Sequence, residues 1–264
     1  MNGFVANAIK VRPLKGVSVI SLPDRSCANL VPSREWGTKV GNKAIETWTA
    51  NGGRFASLLS NDNCERASYN QPIFETHECV VAPTLGSILP NWLLVVPRSP
   101  AVTFRKWGGS KNRNVAELIG VVLEGLEISP EQAIWFEHGP SDKGSLVGCG
   151  VDYAHIHVLV RPPFSFEEFV ASVVGASGLS WRRCLATDAY GSIDAASSYL
   201  IAGSRNGTVI AEQVESAGSQ FFRRIVARLA DKPEQWNYNN HPHLHNVQKT
   251  IATFPRQRAL TVGP

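Results

Sequence analysis

The sequence predicts an α+β fold in which helices flank an antiparallel sheet. Short β-type segments and amphipathic helices follow one another after residue 70, and several links between strands are short enough for hairpins. The dipeptide Asn206-Gly207 lies between two such segments and is a strong hairpin signal. The 264 residues exceed the usual single domain of roughly 100–150 residues, so we expect one domain with sizeable additions, or two small domains.

The predicted strands supply most of this sheet. Each is a short apolar or alternating run bounded by Gly, Pro, Asn or Ser. They are Ile73–Thr76, Cys79–Pro83, Trp92–Val96, Ala133–Glu137, Val151–Val160, Tyr199–Gly203 and Thr208–Glu212. Residues 1–60 lack sustained periodicity and are interpreted as an irregular N-terminal arm.

Four helices are predicted from apolar residues that recur at helical spacing. They cover 113–126, a segment from Ser165 to about Val174, the region of Phe222–Leu229, and Val247–Phe254. The first two begin with a capping box, in which a Ser or Asn precedes a Glu by three residues.

Composition and charge exclude several classes of protein. Apolar residues make up 43% of the chain and charged residues 18%, which suffices for a core and excludes a largely disordered chain. No apolar stretch approaches the ~20 residues that span a bilayer, so we expect no membrane association. The run Val17–Leu22 is too short for a signal-peptide core. Because the five cysteines are scattered, we expect a reduced, cytoplasmic protein.

Positive charge is concentrated at the start of the chain. Residues 1–60 hold eight Lys/Arg against three Asp/Glu, whereas the formal charge of the whole chain is +4. Such a segment could meet nucleic acid or an anionic substrate, although a solvated surface is the more common explanation. No nucleic-acid-binding signature accompanies the charge, so we expect no nucleic-acid partner.

Two clusters of histidines are candidates for chemistry. His155 and His157 are two residues apart on a predicted strand, so both imidazoles should face the same side. Spacing alone would also suit two ordinary histidines on a strand. The preceding residues Gly148, Cys149 and Gly150 favour a phosphate site, because small residues let backbone N–H groups approach an anion. The second cluster, 241–245, contains a proline and is interpreted as a surface turn.

The segment 148–160, GCGVDYAHIHVLV, resembles the signature strand of the histidine triad (HIT) superfamily, in which three histidines alternate with apolar residues. Pro83–Ser87 together with Asn91–Pro97 resembles the upstream strand of that domain, and Trp135–Gly139 resembles the strand before the triad. The tail, with Ser219–Arg224 and the segment from Trp236 to Ile251, resembles a longer bacterial HIT branch. The resemblance implies an HIT-like catalytic domain at 61–163 and a C-terminal hairpin and helix extension at 164–264 packed on it.

The resemblance also implies roles for individual residues. His155 takes the place of the histidine that attacks phosphorus, and His157 that of the histidine that contacts the phosphate. Gly148, Cys149 and Gly150 would supply backbone donors, and Glu137 or His138 would point into the same pocket. Tyr153 replaces the first histidine of the triad. Its side chain would orient the reacting groups or supply a proton to them.

Several further positions bear on the site. Trp92 takes the place of a histidine that many HIT members have at this position. Cys64 lacks the second cysteine of a Cys-x-x-Cys zinc pair, because position 67 is Ala. We therefore expect no metal and no cofactor. Arg223 and Arg224 are candidates for a second anionic group if the tail folds over the site. Solvated helix charges are the more common alternative for this pair.

The function implied is that of a nucleotidyl hydrolase or transferase. Its substrate would be a nucleotide phosphoanhydride, phosphoester or phosphoramidate, and the reaction would pass through a covalent nucleotidyl-histidine. One alternative is an HIT scaffold recruited to a lyase or cyclisation reaction of specialised metabolism, with His155 as general acid or base. Another is a nucleotide-binding module without turnover. HIT domains are often dimers, so the resemblance leaves a homodimer and a monomer both open.

Overall fold

The computed structural model describes residues 53–60, 66–107, 114–145, 147, 151–215, 217–218, 220–255 and 257–258. Their strands are β1 (Phe74–Glu75), β2 (Cys79–Pro83), β3 (Trp92–Pro97), β4 (Ala133–Gly139), β5 (Ile156–Val160), β6 (Trp181–Cys184), β7 (Tyr199–Ser204), β8 (Gly207–Glu212) and β9 (Gln257–Arg258). Their α-helices are α1 (Ala56–Leu59), α2 (Val115–Gly125), α3 (Phe166–Ser177), α4 (Phe221–Leu229) and α5 (Leu244–Thr253). The predicted α+β class is confirmed.

All of these strands join one sheet, in the order β6-β8-β7-β4-β5-β3-β2-β1-β9. Every neighbouring pair from β6 to β1 is antiparallel, and only the two-residue strand β9 runs parallel to its neighbour β1. Strand β7, from the predicted extension, pairs with β4 along its length from Trp135↔Gly203 to Gly139↔Tyr199. The region after residue 164 therefore continues the sheet edge to edge.

Apolar side chains cover both faces of the sheet. Helix α2 buries residues such as Leu118 and Val122 in one cluster with Val95, Ile156 and Val158. On the opposite face, α3 and α4 form a second cluster with β4, β5 and β7, and α1 packs in a third cluster with β2 and β3. Because strand residues alternate between faces, β4 and β5 send every second side chain toward α4.

Local signals explain why the helices begin where they do. Asn114 accepts a hydrogen bond from the Glu117 N–H at the start of α2, and Ser165 accepts one from Glu168 at the start of α3. Both capping boxes that the sequence predicts are therefore present. No helix of the described residues is long and apolar enough to cross a membrane.

The structure corrects the predicted strand at Val151–Val160, which begins only at Ile156. Pairing with β3 and β4 starts at Ile156 and His157, and the Ala154 N–H donates instead to the Ala101 carbonyl at 2.7 Å. The residues before the strand therefore have a loop as their hydrogen-bond partner. Strand β6 was not predicted; it is an edge strand whose residues are mostly only partly buried, so it lacks an alternating pattern.

Candidate functional site

A cavity opens on the sheet face that carries α1 and α4, beside the point where β5 begins. Its empty space is about 460 Å³ when the open mouth is included. Side chains from seven parts of the chain line it: Arg54, Phe55, Thr84, Leu85, Leu94, His138, Val151, His155, His157, Gln220, Arg223 and Tyr238. The described lining contains several imidazole and guanidinium groups and no Asp or Glu, so the cavity is suited to an anion.

His155 and His157 face the cavity together, as their spacing predicts. Their ring centroids are 5.1 Å apart. His155 lies directly before β5 and His157 is its second residue, so their side chains share one face of the sheet. Ile156 and Val158, between and after them, lie in the core cluster on the other face.

The hydrogen bond of His155 fixes which ring nitrogen is reactive. Its Nδ1 lies 2.8 Å from the Tyr153 carbonyl oxygen, which can only accept, so Nδ1 carries the proton. The lone pair is therefore on Nε2. Burial lowers the pKa of His155 to about 4, and the charges of Arg54 and Arg223 add to this shift. The imidazole is consequently neutral at pH 7 and can act as a nucleophile or base.

His157 has the opposite tautomer. The indole Nε1–H of Trp92 donates to its Nδ1 at 3.0 Å, so the proton of the neutral ring lies on Nε2. Burial lowers the pKa of His157 well below its ordinary value, and His155 and Arg223 lower it further. One histidine thus offers a lone pair while its neighbour offers an N–H donor.

His138 reaches the same cavity from β4 and is 7% exposed. Neither of its ring nitrogens has a hydrogen-bond partner among the described residues, and burial lowers its pKa to about 3. The side chain of Gln220 also lines the cavity, and its buried Oε1 atom has no hydrogen-bond partner in the described part of the chain. Because such groups cost free energy in an apo protein, they indicate that a ligand or water completes their hydrogen bonding.

Two arginines supply positive charge. Arg223 is 6% exposed and donates from Nη1 to the Gly86 carbonyl and from Nη2 to Thr84 Oγ1 and the Leu85 carbonyl. Its guanidinium also lies 4.7 Å from the Trp92 ring centroid and 5.5 Å from that of Tyr238. The structure thus places Arg223 in the cavity wall and corrects its interpretation as a solvated charge. Arg224 does not line the cavity and contacts the Trp236 ring.

Other predicted site residues lie away from the cavity. The Tyr153 side chain is buried beside Phe55, and its hydroxyl donates to the Pro97 carbonyl at 3.0 Å, so only its backbone carbonyl serves the site. Glu137 is on the opposite sheet face, where it accepts hydrogen bonds from the Phe104 N–H and the Tyr199 hydroxyl, each at 2.8 Å. Gly148, Cys149 and Gly150 lie outside the described residues, as does Cys64.

The second histidine cluster does not line the cavity. His243 precedes α5 with φ 46°, and its ring centroid is 6.0 Å from those of both His241 and His245. Its neighbour Pro242 accepts a hydrogen bond from the Gly86 N–H at 2.9 Å, so this turn supports the 84–86 loop from outside. The cluster therefore has a structural contact to the site and supplies none of its lining.

Sequence reasoning did not assign Arg54 or Gln220 to the site. Arg54 lies in the basic arm, whose excess of positive charge was the available signal. Gln220 directly precedes α4 and Arg223 lies in its first turn, but nothing in the local pattern showed that this end of the helix meets the cavity. Among the described residues, no group of three or more His, Cys, Asp or Glu side chains is arranged to hold a metal ion.

Comparison with known proteins identifies no family for this chain: no family model matches it, and no curated protein matches it.

Proposed function

We propose that the protein is a nucleotidyl hydrolase or transferase that attacks phosphorus with His155. The observation that carries the proposal is the hydrogen bond from His155 Nδ1 to the Tyr153 carbonyl, which leaves the Nε2 lone pair in a cavity whose described lining contains no carboxylate. A neutral imidazole held in this way is a competent nucleophile at pH 7. The HIT-like motif at 148–160 supports the same role for this residue.

The reaction balances with the groups present. As Nε2 of His155 forms a bond to phosphorus, the bond from phosphorus to the leaving oxygen, or to the leaving nitrogen of a phosphoramidate, breaks and that atom takes up a proton from water. The ring then carries a positive charge, and its Nδ1–H remains bonded to the Tyr153 carbonyl. His157 would donate its Nε2–H to a phosphoryl oxygen. Attack by water or an acceptor hydroxyl then breaks the P–N bond, releases a proton and restores neutral His155.

The test is a rapid acid-free quench after mixing the protein with nucleoside polyphosphates, nucleotide sugars and nucleoside phosphoramidates. Phosphorus NMR identifies which of them is consumed. We expect an acid-labile, base-stable adduct of nucleotide mass on the peptide that carries His155. Turnover without any adduct, even in a His157 variant in which its breakdown should be slowed, would favour a general-base reaction. Binding without turnover would leave a nucleotide-binding module.

A matched pair of variants separates the two histidine clusters. His155→Asn removes the nucleophilic nitrogen, so we expect turnover to fall by about three orders of magnitude or more. His243→Asn lies outside the cavity, and we expect its rate to stay within a few-fold of wild type. Melting temperatures of both variants show whether either has lost its fold. Loss of turnover in His243→Asn alone would contradict this assignment of the site.

A further inference from the structure

Arg54 has an unusual environment for a guanidinium. It lines the cavity, and its carbon Cζ lies 5.1 Å from the Phe55 ring centroid and 5.7 Å from that of Tyr69. Within the part of the chain that the structure describes, it makes no hydrogen bond and no ion pair. Burial lowers its pKa, so its positive charge is poorly solvated. Aromatic rings attract a cation but offer no acceptor for its N–H groups.

The position of Arg54 connects this charge to the reacting histidine. Phe55, the next residue, has its ring centroid 5.4 Å from that of His155. The charge of Arg54 also lowers the pKa of both His155 and His157, so the guanidinium lies within electrostatic range of both rings. An anion bound at His155 would therefore be attracted to Arg54.

Arg223 is less able than Arg54 to donate hydrogen bonds to such an anion. Its Nη1 and Nη2 atoms already donate to the Gly86 carbonyl, to Thr84 Oγ1 and to the Leu85 carbonyl. It contributes positive potential to the cavity while its N–H groups hold the 84–86 loop. Of the two arginines in the described lining, Arg54 is the one whose donor fork, the pair of parallel N–H groups of the guanidinium, is available to a ligand.

We infer that Arg54 is an anion-binding catalytic residue, which donates hydrogen bonds to two non-bridging oxygens of the phosphoryl group that His155 attacks. The cavity would then select a phosphoryl group with at least one full negative charge over a neutral acyl or carbonyl group. A planar guanidinium suits this task because it can donate two parallel hydrogen bonds to two oxygens. The inference deepens the proposed function, and its catalytic part rests on that function, whereas anion binding can be tested alone.

The experiment measures binding of inorganic phosphate to the full chain at low ionic strength, followed through the imidazole resonances of His155. Arg54→Gln removes the charge and the fork, and Arg54→Lys keeps the charge. Arg205→Gln is the matched control, because Arg205 is an exposed arginine paired with Glu131 at the β7–β8 hairpin. We expect the dissociation constant to rise about tenfold or more in Arg54→Gln, less in Arg54→Lys, and not in Arg205→Gln.

Two results would overturn the inference. One is a wild-type protein that shows no phosphate-dependent change at His155, and the other is an equal loss of affinity in Arg54→Gln and Arg205→Gln. If Arg54→Gln is unfolded, Arg54→Lys provides the test instead. A folded Arg54→Lys that binds phosphate as well as wild type would show that the donor fork is not used and would contradict the inference.

The outcomes also separate this inference from the proposed function. If an adduct forms on His155 but phosphate binding does not depend on Arg54, the proposed nucleophile is supported and the inference about Arg54 is wrong. Arg54-dependent binding without an adduct would keep the anion site and remove the nucleotidyl-transfer step. In the expected case both hold, and Arg54→Gln slows adduct formation while Arg205→Gln does not.

Discussion

At the residue scale, the chemistry of the site depends on which group faces the Nδ1 atom of each histidine. A carbonyl oxygen faces Nδ1 of His155 and an indole N–H faces Nδ1 of His157. The two rings therefore present opposite functions from their Nε2 atoms, although they lie on the same face of one segment. The sequence predicted the shared face from their spacing. It could not predict the tautomers, because Trp92 and Tyr153 reach the rings only through the folded sheet.

Tyr153→Phe tests whether the Tyr153 hydroxyl takes part in the reaction. The hydroxyl donates to the Pro97 carbonyl, and the contact with His155 uses the backbone, which the substitution keeps. We expect adduct formation to persist within a few-fold, with a loss of about 1 kcal/mol in the free energy of unfolding. Adduct kinetics and urea unfolding measure the two effects. A loss of adduct formation with unchanged stability would show that the Tyr153 hydroxyl takes part in the reaction.

Glu137→Gln tests the environment on the other face of the sheet. Burial raises the pKa of Glu137 to about 7 from its ordinary value of 4.5. Between these pH values the folded state holds a proton that the unfolded state has released, so the free energy of unfolding falls as pH rises. We expect wild type to lose about 3 kcal/mol relative to Glu137→Gln between pH 4 and pH 8. Parallel stability profiles for the two proteins would contradict this.

At the element scale, the cavity depends on contacts between the loop after β2 and the C-terminal segments. Arg223 of α4 binds three acceptors in Thr84–Gly86, and Pro242 accepts from the Gly86 N–H. The capping boxes and the hairpin were predictable because their signals are local. The 84–86 contacts join residues more than 130 positions apart, and no local pattern encodes them.

Gly86→Ala tests this contact against a matched control, Gly144→Ala. Both glycines have positive φ, 73° and 75°, so an alanine is strained at either position. A Cβ on Gly86 would also lie 2.3 Å from Tyr238 Cβ, whereas a Cβ on Gly144 would meet no atom of the described residues within 4 Å. We expect Gly144→Ala to cost about 1 kcal/mol and Gly86→Ala clearly more, with faster proteolysis of the tail. Equal melting temperatures would contradict the packing described.

At the scale of the whole molecule, the described sheet is continuous from the strands before residue 163 to the tail. Strand β7 covers the edge of β4, and α4 buries Phe222 against Phe136 at a centroid distance of 4.7 Å. The sequence pattern identified the hairpin β7–β8 but placed it in an extension. Its pairing with β4 is a long-range choice that apolar alternation alone does not specify, since β4 could have been an edge strand.

Truncation tests this continuity. A chain that ends at residue 163 would expose the β4 edge and the apolar surface under α4, so we expect aggregation and no cooperative thermal transition. The control ends at Pro255 and loses only the two-residue strand β9 from the described sheet, so it should melt cooperatively. A soluble 1–163 fragment with a cooperative transition would show that the tail is a separate unit.

The most direct measurement is ¹⁵N NMR of the imidazole rings in the ligand-free protein, with His155 and His157 assigned by substitution. At pH 7 we expect the proton of His155 on Nδ1 and that of His157 on Nε2. We expect His155 to remain neutral as the pH falls to about 5, because its pKa is lowered to about 4 by burial and by the nearby arginines. A proton on Nε2 of His155, or a protonated His155 ring at pH 6, would contradict the account of this residue as the poised nucleophile.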